Sequence, residues 1–511
     1  MNDTGMITAP VTIDEPNIRN TPFRKGIPAT LAQGLPAVSI RDMPVPKPFW
    51  AVLGPGVIMV ATALGSGEIY FWPGITMTYG FGFLWLALIA LFLQYVLNTE
   101  FARYTLATGE TIITGFSRLW QPFAWLFLLC STLPWLWPGW STGGATALSW
   151  VTGGRPEVIS AISLVLIGVT LTGTRIVYKA VEFIQMVLTA FIIAVVAGVA
   201  VVVVQAPTLA AFADGLMSIP TSLPEGLKIA TLLSALAFCG AGGSVNLATS
   251  HWMRDKGFGM GALVPKVTSP LTGENISVAS EGYFFEPTEQ NITRWQAWWR
   301  LARREQTITF LITGAAGLVL LMLVAHSLLF GSGIEMNMGA LMTEGNKLAD
   351  RTIPWAAPVF YLMVAAVFFT SALGILDHVA RLAADILKTN SATMRCSNSP
   401  LLSESALYFY VLWLMIAFAI AVLFVANLQD PSTLLKISGS LSGIVMFLYS
   451  VLVIVLMLKL CRETELADPR FKTCNPFRVS AWRKMSLAAA VLLYGGFSIL
   501  LIMDTVKSIA S

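Results

Sequence analysis

The chain has 511 residues, 56% of them hydrophobic and 12% charged, with a net charge of +4. A soluble globular protein carries about 25% charged residues, and the mean hydropathy of +0.71 points the same way. Composition excludes a soluble multi-domain enzyme and a disordered scaffold, and predicts an all-α polytopic membrane protein.

In chain order, residues 1–48 are polar and hold eight prolines, from Pro10 to Pro48. They show no basic-then-apolar leader with a small-residue cleavage site and read as a disordered tail. A hydrocarbon core about 30 Å thick needs about 20 apolar residues per crossing helix. Segments near 49–77, 81–102, 121–149, 157–174, 180–205, 227–250, 307–331, 355–380, 406–427, 433–458 and 485–504 qualify, about 11 helices. Pro134 and Pro138 interrupt the third. Alternating the gaps puts 26 of the 32 Lys and Arg on the side of the N-terminus. Cytoplasmic loops carry the excess of Lys and Arg, so the N-terminus is expected in the cytoplasm and the protein in the plasma (inner) membrane. In the long 251–306 loop, Trp295, Trp298 and Trp299 alternate with Arg294, Arg300, Arg303 and Arg304, which predicts an amphipathic helix anchored on the inner leaflet. The five cysteines show no CxxC spacing and no His cluster, so neither a zinc site nor a disulfide framework is expected.

Two segments are interrupted by small residues. The first carries Gly65-Ser66-Gly67 followed at once by Glu68. The sixth carries Cys239-Gly240-Ala241-Gly242-Gly243-Ser244-Val245-Asn246, five segments later. Glycines weaken a helix by roughly 1 kcal/mol each, and backbone groups freed inside a membrane must face a polar cavity or other protein. Interrupted helices in corresponding positions of two halves mark the substrate site of an inverted-repeat transporter. The competing reading is that small residues only permit close helix packing. Glu68 is the sharpest single residue. A carboxylate near mid-bilayer costs several kcal/mol unless paired, protonated or cation-bound, and no Lys or Arg lies within the first segment, the sixth beyond Lys228 at its very start, or the core of the eighth. The third segment supplies Trp135, Trp137 and Trp140, whose faces suit a cation as well as plain packing. Elsewhere, Glu182 is expected to pair with Lys179 and Glu100 with Arg103. Asp377, Arg381 and Asp385 have the spacing of a salt-bridge ladder. His251, His326 and His378 read as structural.

Several of these stretches together resemble the Nramp (natural resistance-associated macrophage protein) family of divalent-metal transporters: Gly54-Pro55-Gly56, Leu93-Gln94-Tyr95-Val96 with Ala107-Thr108-Gly109-Glu110, Tyr178-Lys179-Ala180-Val181-Glu182, and Phe369-Thr370-Ser371-Ala372-Leu373-Gly374. The resemblance spans most of 50–460 and implies the leucine-transporter-type fold. That fold has two inverted five-helix repeats, here 49–205 and 206–458, plus one extra helix within 459–511. The ion site departs from the family. Gly65 stands where the family has its helix-1 Asp ligand and Glu68 where it has Asn. In helix 6 the family's Met and His are lost and Asn246 remains, and the third-helix acid tied to proton flow has no counterpart.

Loss of the thioether turns the site toward hard ions. Carboxylate, hydroxyl and carbonyl oxygens prefer Mg²⁺, with Mn²⁺ also compatible. The expectation is a secondary transporter moving a divalent metal by alternating access. Glu68, Ser66 and Asn246 are the expected metal ligands, and Gly65, Gly67, Gly240, Ala241, Gly242, Gly243, Ser244, Trp137 and Trp140 the expected lining. The alternative is a small organic cation or an amino-acid-like solute held by Glu68 and the tryptophans. Expected partners are the ion and the bilayer, with no nucleic acid and no cofactor. No HExxH, GxSxG or phosphate loop favours an enzyme.

Overall fold

The computed structural model describes residues 26–218, 223–267, 282–335, 337–397, 399–426 and 430–510. Eight of its helices are long and apolar enough to cross a membrane by length and composition. The first rod is α1 (Pro55–Ala63), a π-helical stretch (Leu64–Phe71) and α2 (Trp72–Tyr79). Gly80, at φ +70°, reverses the chain into α3 (Leu84–Thr108). Then come α4 (Ile112–Leu119), α5 (Pro122–Thr132), α6 (Gly139–Thr152), α7 (Pro156–Gly173), α8 (Val177–Val203) and α9 (Ala206–Met217). The expected third segment is thus two short helices, α5 and α6, parted at its prolines.

The sixth segment is likewise two short helices, α10 (Ile229–Ala237) and α11 (Gly243–Lys256). After them, α12 (Glu289–Gln306) runs through a second π stretch (Thr307–Ile312) into α13 (Thr313–Leu329). The chain ends with α14 (Met338–Arg351), α15 (Ala356–Asn390), α16 (Glu404–Phe424), α17 (Pro431–Ala467) and α18 (Ala481–Ala510). The long helix α15 is the hub. It packs against α6, α8 and α16 and against α1 with its π stretch.

Two sequence expectations fail here. The tail expected to be disordered to residue 48 is packed from residue 26 onward; residues 1–25 lie outside the described region. Leu31, Val38 and Met43 are buried. Strand β1 (Ser39–Ile40) pairs in parallel with β2 (Tyr283–Phe284). The Glu463 carboxylate accepts from Thr30 N–H at 2.7 Å, and Arg118 donates to the carbonyl of Leu31 at 2.8 Å. Proline content suggested an unfolded tail, yet a strap of this kind needs no regular structure, only partners for its backbone groups.

The helix expected to lie on the inner leaflet is instead the start of a 41-residue rod, Glu289–Leu329. Trp295 and Trp298 are buried, and Trp298 Nε1 donates to the carbonyl of Pro44 at 2.8 Å. Trp299 is gripped by guanidiniums, with Arg103 at 4.0 Å and Arg483 at 5.2 Å from its ring centre. Its arginine partners come from neighbouring helices as well as its own, which sequence spacing could not show.

Candidate functional site

The two interruptions differ in kind. The first does not unwind. Over Leu64–Phe71 the helix widens to π geometry and continues into α2, so its carbonyls stay in the ladder. Its glycines serve close approach. A side chain at Gly65 would strike Ser371 and the carbonyl of Val367 on α15, and one at Gly67 would strike the backbone of Phe238. The side chain of Ser66 lies outside the described region. The second interruption does unwind. Gly240, Gly242 and Gly243 take φ of +108°, +69° and +47°, a region that costs other residues heavily.

The break at 238–242 is satisfied largely by two side chains from the first half of the protein. Glu68 Oε1 accepts from Gly240 N–H at 2.9 Å. Gln94 Oε1 accepts from Gly242 N–H at 3.0 Å, while its amide nitrogen lies 2.7 Å from the carbonyl of Cys239 and 3.1 Å from that of Ala237. Glu68 is fully buried, and among the described residues its second oxygen, Oε2, has no hydrogen-bond partner. Asn246, one turn into α11, donates to Tyr449 OH at 2.7 Å and leaves its own carbonyl oxygen unpartnered. The structure therefore puts Glu68 against the second break, and gives Glu68 and Asn246 separate partners. Among the described residues no group of three His, Cys, Asp or Glu is placed to hold a metal.

Around the break sits an aromatic wall. Trp135 and Trp140 each lie 5.7 Å from the Phe238 ring, while Gly243 meets Trp135 and Ser442 too closely for any side chain. Trp135 Nε1 donates to Ser244 Oγ at 2.7 Å, and Ser244 Oγ stands 3.1 Å from His378 Nε2. His378 Nδ1 lies 3.2 Å from the carbonyl of Gly374. A carbonyl only accepts, so Nδ1 carries the proton and Nε2 takes the Ser244 hydroxyl. Ala241 is buried at the turn. Trp137 and Trp140 have indole N–H groups without partners among the described residues, and they line a cavity of about 30 Å³ with Ser141, Ile375 and Met415. That volume holds about one or two waters.

On the side of the N-terminal strap, the helices around the break are tied by buried ions. Asp377 accepts from Arg381 Nε at 2.8 Å, Tyr408 OH at 2.8 Å and Trp252 Nε1 at 3.0 Å. Arg381 also bonds Asp255. Arg254 bridges Asp385 at 2.9 Å and Glu404 at 2.8 Å, and His251 Nε2 lies 3.3 Å from Asp385. The expected ladder along α15 is thus half right, since Asp385 turns to α11 instead of Arg381. Glu100 pairs with Arg103 as expected, and also with Arg483 at 2.5 Å. Glu182 bonds Lys256 at 2.5 Å rather than Lys179. Sequence reasoning missed Glu305, whose carboxylate caps α1 by accepting from Gly56 N–H at 2.8 Å.

The opposite side is open. A cavity of about 620 Å³ lies between α2, the start of α10, the 331–335 turn and Lys436 of α17. It reaches Gly74 and Ile75, and Ile75 is seven residues, or about 10 Å of helix, from Glu68.

No family model matches the sequence. An uncharacterized protein of Pasteurella multocida is 30% identical over 80 residues, which is 16% of this chain and 18% of that one. The chain therefore spans less than a fifth of that relative's length. The crystal structure of a variant of the Eremococcus coleocola manganese transporter superposes over 93% of this chain and 91% of that one, with a TM-score of 0.62 at 13% identity. A structure of the same transporter with an aromatic bis-isothiourea compound covers 92% and 98%, with a TM-score of 0.55 at 13% identity. This chain has the leucine-transporter-type fold. It is a mostly helical integral membrane protein, with a π-helical stretch at Leu64–Phe71 and an unwound break at Phe238–Gly242.

Proposed function

We propose that the protein is a secondary transporter that carries a small cation by alternating access, with Glu68 as its one charged ligand and its N-terminus in the cytoplasm of the plasma membrane. The observation that carries this reading is the Glu68 carboxylate. It is fully buried beside the helix break, one oxygen is fixed by Gly240 N–H, and the other is free. An unpaired carboxylate at that depth costs several kcal/mol until a cation or proton joins it. A divalent metal, Mg²⁺ or Mn²⁺, is the favoured cargo, and the fold shared with a manganese transporter supports it. Glu68 Oε2 and Asn246 Oδ1, both unpartnered, are the oxygens that would face the ion. With one carboxylate and no thioether, the ion would keep several waters, which suits Mg²⁺ above softer metals. The large cavity on the side away from the strap supports an entry route, and the buried ion network on the strap side supports a closed exit.

The rings of Phe238, Trp135 and Trp140 at the break favour a second reading, an organic ammonium or amino-acid-like solute on the same carboxylate. Uptake into proteoliposomes of Mg²⁺, Mn²⁺ and a panel of amines separates the two. Metal flux that Glu68→Gln abolishes supports the first reading, and amine flux without metal flux supports the second. Unchanged flux of either kind in the variant ends the case for Glu68.

A further inference from the structure

The side away from the N-terminal strap holds a carboxyl that the transport reading leaves unused. Glu344, midway along α14, is 4% exposed. Among the described residues its carboxyl has no hydrogen bond and no ion pair. It lines a cavity of about 10 Å³ against Tyr70, Pro73 and Met77 of the first rod and Leu329 of α13, about the room one water needs. Gly74 and Met77 are walls of this cavity and also of the 620 Å³ cavity. One layer of α2 therefore separates Glu344 from bulk-sized space.

Among the described residues, nothing packed around Glu344 offers a countercharge. From the first rod the titratable neighbour is Tyr70. From α15 it is Tyr361, whose hydroxyl is engaged by the carbonyl of Met342 and by Asn346 Oδ1. From α13 it is His326, whose ring is stacked between Phe81 and Phe330 at 4.6 and 4.3 Å. Helix α6 carries no charged residue, and the ionisable residues of α8, Tyr178, Lys179 and Glu182, stand at its start. On α14 itself, Lys347 donates to the carbonyl of Leu328 and Arg351 to that of Ser327, and Asp350 is exposed.

We propose that Glu344 is a proton-binding site that ties closure of α14 over the first rod to the pH on that side of the membrane. With α14 seated, the acid is neutral. When α14 lifts, water from the large cavity reaches the carboxyl and the proton leaves. Burial alone raises this carboxyl from its ordinary value near 4.5 to about 8. The sign follows: the seated state binds the extra proton, so its advantage is full below the ordinary carboxylate range and is lost as pH rises through about 8.

The inference does not need a cargo at Glu68, and its test reads no transport. Hydrogen–deuterium exchange of the full chain in nanodiscs, corrected for intrinsic rates, follows the amides of 338–351 from pH 6 to pH 9. Protection in the wild type is expected to fall about tenfold or more, while Glu344→Gln, a neutral isostere, stays protected and flat. Wild-type protection that does not change with pH overturns the proposal, as does a Gln variant that keeps the wild-type slope. Should Glu344→Gln not fold, Glu344→Met carries the same comparison.

Discussion

The two ends of this molecule are sealed by opposite chemistry. On the strap side, Asp377, Arg381, Asp255, Arg254, Asp385 and Glu404 form a buried network in which each charge has at least one opposite partner. On the other side, α14 closes without an ion pair among the described residues, by apolar contacts and by hydrogen bonds of Lys347, Arg351 and Tyr361 to neutral acceptors, around one unpaired acid beside a cavity of about 620 Å³. A buried ion network is costly to open, because each separated charge must find water or another partner. An apolar contact with a protonated acid opens at lower cost. The difference assigns the easier motion to the α14 side and makes the strap side the firmer closure.

The hardest blow to that comparison is Arg381→Met. It takes the guanidinium from Asp377, which keeps only the neutral donors Tyr408 and Trp252, and from Asp255, which keeps only Arg254 at 3.6 Å, and a loss of about 3–5 kcal/mol is expected, measured as a lowered midpoint of thermal unfolding in detergent. Loss of less than about 1 kcal/mol would mean that the strap-side network is not a closure at all. Gln94→Leu comes next. It leaves Gly242 N–H and the carbonyls of Ala237 and Cys239 without their side-chain partner. About 1–3 kcal/mol per orphaned group is at stake, less whatever water recovers, with loosened amide protection around 238–246 as the readout. Smallest is Glu68→Gln. An amide oxygen still accepts from Gly240 N–H, so stability should move by no more than about 1 kcal/mol even as flux is lost. A large destabilisation instead would make Glu68 a structural brace and blur the contrast between site and seal. On the α14 side, the wild type should lose stability as pH rises toward about 8, while Glu344→Gln should not.

The two interruptions show how far residue patterns reach. Both stretches read alike in sequence, as glycines beside a serine with a polar residue close behind. Only the second unwinds, because its glycines sit at positive φ, whereas Gly65 and Gly67 are small because Ser371 and the Phe238 backbone press on them. Glycine content alone does not separate these uses. Glu68 was legible because an unpaired carboxylate in an apolar segment is costly anywhere. Gln94 was not, since nothing local distinguishes an amide that faces lipid from one that bridges a break 145 residues away.

By itself the sequence determined the membrane solvent, the long apolar helices that suit it and the acid at Glu68 that must be explained, since each is set by local transfer free energy. It did not determine that residues 26–48 form a strap, that the Trp-Arg helix is buried, or that Asp385 and Glu182 take partners on α11. Those outcomes depend on which helices meet, and desolvation makes a charge choose the nearest complementary group in space rather than in sequence. Tertiary structure also decided that Glu344 is sealed without a countercharge among the described residues, because its burial needs the first rod, far from it along the chain, to pack against α13 and α14.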